Sequence, residues 1–161
     1  MIERVRAIVV TPAETLLVIK RTRPGAAPYW VLPGGHADDT DNSLEDALRR
    51  ELREELGGDA TILRLVEVLR RESERQYFYL ATIDAWSFDD RTGPEFSERG
   101  RGSYELEEIP SEADAIAAID LRPEEIARFL VSTLRGDGGL ADLPDLRQAH
   151  RRAMRQSESR G

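Results

Sequence analysis

The segment SLEDALRRELREELGG, residues 43–58, constrains this chain more than any other. It reads as a helix: Ser43 is placed to cap the first turn with Asp46 three residues on, and Gly57 and Gly58 stop it. Advancing about 100° per residue from Leu44, the side chains of Leu48, Leu52 and Leu56 fall at roughly 40°, 80° and 120°, and Ala47 near 300°. That arc has to be buried. Glu51 and Glu55 land inside it, at roughly 340° and 20°, and Glu54 at its edge near 280°, while Asp46, Arg49 and Arg53 take the far side. A helix that carried its charges only for solvation would put them all on the far side. Carboxylates on a partly buried face instead repel one another and lose hydration unless something neutralises them.

A divalent cation does that. The chain has no cysteine and only two histidines, His36 and His150, which removes disulfides, thiolate sites and most imidazole metal chemistry. Oxygen ligands alone specify a hard ion, Mg²⁺ first and Mn²⁺ or Ca²⁺ as substitutes. Mg²⁺ held by a few carboxylates completes its shell with water and substrate phosphates, so the expected substrate contains a phosphate or diphosphate. The metal-free protein is then expected to hold unrelieved repulsion among Glu51, Glu54 and Glu55. The competing reading is surface i, i+4 pairing, such as Arg50 with Glu54, and the wheel opposes it.

At 161 residues the chain has the length of one domain. RVRAIVV and TLLVIKR read as two strands joined through TPAE, followed by a Pro- and Gly-punctuated loop around a third short strand, Tyr29 to Leu32. ATILRLVEVLRR and SERQYFYLATIDAW read as two longer strands, FDDRTGPEFSERGRG as a long loop, and YELEEI as another strand. LRPEEIARFLVSTL reads as an amphipathic helix with Pro123 in its first turn. Strands and helices without strict alternation imply an α+β fold, a mixed-sheet sandwich with helices on both faces. The first two strands lie too close in sequence for the helical crossover of a doubly wound parallel sheet. Residues 1–135 form the single catalytic domain on this reading, and 136–161 a Gly-rich break and a basic tail, a frayed and solvated peripheral helix or a partly disordered segment.

The stretch GGHADDTDNSLEDALRRELREELGG resembles the signature of the Nudix hydrolases: a glycine, a later glutamate, then Arg-Glu-apolar-any-Glu-Glu-any-Gly. Arg50, Glu51, Leu52, Glu54, Glu55 and Gly57 fill its second half, and Trp30, Leu32, Pro33, Gly34 and Gly35 look like the family's lead-in. The first half departs from the pattern. Asp41 stands for the first glutamate and the loop is one residue longer, which bears on the contact by which that acid braces the loop. The resemblance implies an α/β/α sandwich with a mixed central sheet. It implies that Glu51, Glu54 and Glu55 bind the metal, with the Gly35 carbonyl as a further ligand and Arg50 orienting Glu51. Glu54 is the expected water-activating base; an acid outside the box is the alternative, with Glu95, Glu98 and Glu105 as candidates. Arg21 and Arg23 are the expected grips on substrate phosphates, His36 a further neighbour of phosphate, and Trp30 a core residue rather than a stacking platform.

The activity so implied is Mg²⁺-dependent hydrolysis, with Mn²⁺ as substitute, of the diphosphate linkage in a nucleoside diphosphate derivative by water attack at phosphorus. A catalytically silent Nudix-like nucleotide sensor is the alternative, and an interaction protein built on the acidic helix and basic tail a more distant one. The net charge of −8 disfavours nucleic acid and points to a small-molecule substrate. The chain shows neither a membrane-length apolar run nor a signal-peptide start, so a cytoplasmic protein is expected. The tail leaves homodimer packing open.

Overall fold

The computed structural model describes residues 1–87 and 102–160. Among them, eight strands form one mixed sheet: β1 (Ile2–Val10), β2 (Thr15–Thr22), β3 (Tyr29–Val31), β4 (Gly34–His36), β5 (Ala60–Arg70), β6 (Glu74–Ile83), β7 (Ser103–Pro110) and β8 (Leu121–Arg122). Helices α1 (Leu44–Leu56), α2 (Ala113–Ala117), α3 (Glu124–Arg135) and α4 (Arg147–Ser159) complete the chain. The expected α+β sandwich is what forms. Val5, Ala7, Val9 and Leu17 point to α1, where Ala47, Leu48, Leu52 and Leu56 close one core. Ile8, Leu16 and Val18, alternating with them, meet Ile116, Ile126 and Leu130 of α2 and α3 in the other.

The site is positioned by a split in this sheet. β1 pairs with β2 at Val9/Leu17 and Val10/Leu16, and then the two strands part. The first half of β1 takes β4 as its antiparallel neighbour, and the whole of β1 runs parallel to β6 on its other side. β2 turns to β3 and β7, and β8 adds parallel to β3. A wedge therefore opens between the two branches, and α1 lies across its mouth. β4 was read as loop from the sequence, because Pro33 and the paired glycines look like punctuation. Gly34 enters the strand because β1 runs too close for any side chain: a Cβ there would sit 1.9 Å from the Val5 carbonyl oxygen, and its φ of +143° suits glycine. α2 and β8 were not anticipated either; at five and two residues they are too short to show a period. Pro123 precedes α3 as its cap residue rather than lying in the first turn.

The tail also differs from a wholly solvated helix. Leu140, Leu143 and Leu146 pack on the two cores, and Arg64 Nη1 donates to the carbonyls of Ala141 (3.0 Å) and Leu143 (2.8 Å). At the start of α4, Arg147 meets Asp145, Glu45 and the Leu63 carbonyl, and the His150 ring stands edge-on to Tyr77. Beyond His150 every described residue is exposed. Among the described residues no helix is long and apolar enough to cross a membrane.

Candidate active site

α1 forms where the sequence places it. The Asp46 N–H donates to Ser43 Oγ at 3.0 Å, and the Gly57 N–H closes the last turn on the Arg53 carbonyl at 3.0 Å. The wheel is realised as well: Glu51 and Glu55 are 6% and 5% exposed, the buried charged residues among those described. Both face the wedge, where a cavity of about 280 Å³ is lined by Arg4, Arg6, Arg21, Gly35, Glu51 and Glu55 among others. The Gly34 N–H donates to Glu55 Oε2 at 3.2 Å. A Cβ on Gly35 would fall 2.5–2.7 Å from the Glu51 carboxyl atoms, so the carboxylate occupies space that only glycine leaves.

Arg50 binds this acid face to the preceding loop. Its Nε and Nη2 clasp Asp41 at 3.1 and 2.9 Å, Nη2 also reaches the His36 carbonyl at 3.1 Å, and Nη1 donates to Glu51 Oε1 at 3.1 Å. The Arg50 hydrogen bonds, joined by the Asp38 N–H, hold the Asp41 carboxyl below its usual range, and the same pairing raises the Arg50 guanidinium. Asp41, standing where the pattern has glutamate, thus still braces the loop against Arg50. Repulsion among the carboxylates is not left unrelieved, contrary to expectation: Arg50 stands between Glu51 and Glu54, the latter at 3.6 Å, and Arg6 lies in the field of Glu55 and Glu51. Burial lowers the Arg6 guanidinium and those two carboxylates pull it back up.

The structure brings Glu51, Glu55, Gly35 and Arg21 to one cavity, with His36 beside them. Glu54 is partly exposed, pairs with Arg50 at 3.6 Å and is not among the residues lining this cavity, and no three Asp, Glu or His side chains gather into a metal cage among the described residues. Two carboxylates beside Gly35 nevertheless form an all-oxygen donor set that fits a hard cation, which keeps several waters and takes further ligands from substrate. Arg23 lies beyond the end of β2, exposed, near Tyr29. Glu105 pairs in register with Lys20, so it projects from the face opposite Arg21 and Tyr104 and does not meet the cavity. Glu95 and Glu98 lie outside the described residues. Trp30 packs at the edge of the α3 core, its Nε1 donating to Glu107 at 2.8 Å.

Sequence reasoning passed over Arg4, Arg6 and Tyr104, which also line the cavity. The signal for the first two was present: alternation in RVRAIVV puts Arg4 and Arg6 on one face of an otherwise apolar strand.

Residues 1–124 match the NUDIX domain. The chain belongs to this family. It is 37% identical over 93 residues to the CTP pyrophosphohydrolase of Escherichia coli K12, covering 58% of this chain and 66% of that protein. It is 50% identical over 44 residues to the asymmetrical bis(5'-nucleosyl)-tetraphosphatase of Mus musculus, covering 27% of this chain and 29% of that one. The chain thus spans just under two thirds of the first of these curated relatives and less than a third of the second. Among solved structures, a NUDIX hydrolase from Nitrosomonas europaea superposes with a TM-score of 0.62 at 15% identity, covering 81% of this chain and 85% of that one. A MutT structure from work on Aliivibrio salmonicida and Vibrio cholerae gives 0.61 at 19%, covering 81% and 96%. At these identities the likeness is one of fold, and members of the family use divalent metal ions.

Proposed function

We propose that this chain is a Nudix-type pyrophosphohydrolase that uses Mg²⁺, with Mn²⁺ as substitute, to cleave the diphosphate linkage of a nucleoside diphosphate derivative by water attack at phosphorus. The observation that carries the reading is the burial of Glu51 and Glu55 against Gly34 and Gly35, in a cavity whose other walls hold Arg4, Arg6 and Arg21. Opposite charges on facing walls suit a ligand that brings both a cation and an anion. The names of the Escherichia coli and mouse relatives, a pyrophosphohydrolase and a nucleosyl-tetraphosphatase, support the same class.

Glu51 and Glu55 hold the cation with the Gly35 carbonyl, and Glu54 completes the acid set from the margin. The bound ion supplies charge neutralisation on the diphosphate oxygens. Arg50 keeps Glu51 oriented through the 3.1 Å hydrogen bond, and Glu54 takes the proton of the attacking water. The water oxygen bonds to phosphorus, the anhydride P–O bond breaks, and the departing phosphate carries the electron pair. Arg21 grips phosphate from the cavity wall, with Arg23 beyond it. Residues 1–135 contain all of these groups, and the net charge of −8 suits a small nucleotide better than a polymer.

The test is a panel of a nucleoside triphosphate, a dinucleoside polyphosphate and a nucleotide sugar with Mg²⁺ in ¹⁸O-water. Metal-dependent turnover with label in a phosphate product is expected. Nucleotide binding without turnover of any member would overturn the hydrolase reading in favour of a silent sensor.

A further inference from the structure

Outside the acid cradle, three cations gather around a single ring. The guanidinium carbons of Arg122, Arg21 and Arg23 stand 4.2, 5.5 and 5.9 Å from the centroid of Tyr29. Strand register explains the convergence. Arg21 pairs with Tyr29 across β2 and β3, Val31 pairs with Arg122 across β3 and β8, and Arg23 follows Arg21 by two residues, so all share one face. That face is the one carrying the cavity, because Arg21 and Val31 line it.

The cluster is costly as it stands. Three guanidinium groups repel one another, and one phenol ring, with two faces, cannot serve three cations equally. Arg122 is offset by Asp120 at 3.0 Å. Arg21 and Arg23 have no carboxylate partner among the described residues, although acids outnumber bases in this chain by eight. Arg21 is held by the Tyr104 hydroxyl and ring, with its Nε buried and without a hydrogen-bond partner. Three guanidinium groups converging on one ring, two of them without a carboxylate among the described residues, are an arrangement that an incoming anion completes.

The position says which anion. Arg21 borders the cavity of Glu51 and Glu55, while Arg122 borders an adjoining hollow of about 730 Å³ that shares Arg4, Arg6 and Val31 with it. The arginines therefore begin at the wall of the acid cradle and lead away from it. We propose that Arg21, Arg23 and Arg122 form a second anion site around Tyr29, which takes a phosphate group of the substrate beyond the diphosphate in the acid cradle. The substrate class narrows to compounds with at least three phosphate groups, in preference to nucleotide sugars. This rests on the hydrolase reading for the identity of the ligand, but the site itself binds without metal.

Calorimetric titration of the full chain with inorganic tripolyphosphate in EDTA tests it apart from turnover. Wild type is expected to bind, with affinity falling as salt rises. Arg23→Gln and Arg122→Gln are each expected to weaken binding about tenfold, the loss of one charge-assisted hydrogen bond. Arg23→Lys should recover most of the loss, and Arg128→Gln, at an exposed position of α3, should change nothing. Arg23 lies past the strand end and is exposed, so its variants keep the fold even if Arg122→Gln does not. Equal binding by wild type and Arg23→Gln would overturn the site. Orthophosphate binding as tightly as tripolyphosphate would overturn its assignment to substrate, marking a seat for free phosphate instead. Failure of the nucleotide panel alone, with arginine-dependent binding intact, would remove the hydrolase reading and leave the anion site.

Discussion

Helices α1 and α4 are both thirteen residues long and densely charged, yet the fold treats their charges in opposite ways. α1 buries two of its carboxylates and meets them with guanidinium groups, its own Arg50 and Arg6 of β1. α4 docks through its first turn, and from Arg151 onward leaves every residue in solvent. Charge content is therefore not what separates a site from a surface. What separates them is whether charges share an arc with the leucines, since desolvation has to be offset by specific partners and those partners define a place. In α4 the arginines had no such constraint, except at Arg147, where the chain supplies Asp145, Glu45 and a carbonyl.

The sharpest way to break this comparison is to neutralise a buried acid and an exposed base on the same helix. Glu55→Gln is expected to lower kcat/KM on the best panel substrate at least about a hundredfold, with Glu51→Gln and Glu54→Gln in the same range. Arg53→Gln, on the far side of α1 and paired with exposed Asp59 at 3.0 Å, should stay within about twofold. Equal losses in both would move the site off this helix face.

A smaller effect is expected one step out from the cavity. Asp41→Asn keeps the shape of the brace and removes its charge, so Arg50 loses its strongest partner while Glu51 keeps its own hydrogen bond. Displacing a guanidinium that positions a ligand carboxylate should cost about tenfold in kcat, with little change in melting temperature. Unchanged kinetics would mean that the longer loop holds itself.

Acid stability extends the comparison to the docked turn of α4. Arg147 depresses the Asp145 carboxyl from 3.8 to about 2. A carboxyl depressed in the folded state stabilises fully above its unfolded value, and that contribution drains away as pH falls from near 4 to near 2. Wild type should therefore melt above Asp145→Asn by a constant few degrees at neutral pH, and the two should converge toward pH 2. Because the pair is partly exposed, the plateau is expected at about 1 kcal/mol, or roughly 2–4 °C for a domain of this size. A gap that persists at pH 2 would assign the effect to packing instead.

The parts of this fold legible in the sequence are those fixed by local rules. α1 has its predicted ends because caps are local, and Glu51 and Glu55 are buried where the wheel puts them. The parts that were not legible depend on pairing between distant segments. The wedge exists because β1 changes partner from β2 to β4, which no window of sequence shows. The face of Glu105 is decided by its register with Lys20, and the Tyr29 cluster by three strands meeting. Asp41 stands between the two cases: the substitution is visible in the sequence, and only the folded loop shows that the shorter acid still reaches Arg50.

The smallest effect is expected where α4 leaves the body. Removing Gln148 to Gly161 takes away the His150 edge contact with Tyr77 and a 3.9 Å approach of Arg75 to the Met154 sulfur, and keeps Arg147 with its partners. Tyr77 is already buried and its hydroxyl donates to Glu3 at 2.9 Å, so uncovering one edge of the ring leaves it anchored. None of the residues removed lines the acid cavity. Steady-state rates on small substrates should stay within about threefold of wild type, with the melting temperature lowered by only a few degrees. Extending the deletion by one residue to include Arg147 should cost more stability than the previous fourteen together, because it strands Asp145 and Glu45 and strips the Leu63 carbonyl of its donor. A collapse in activity on the shorter deletion, with the melt unchanged, would mean that the exposed arginines reach the substrate, and the distinction drawn between the two helices would fail.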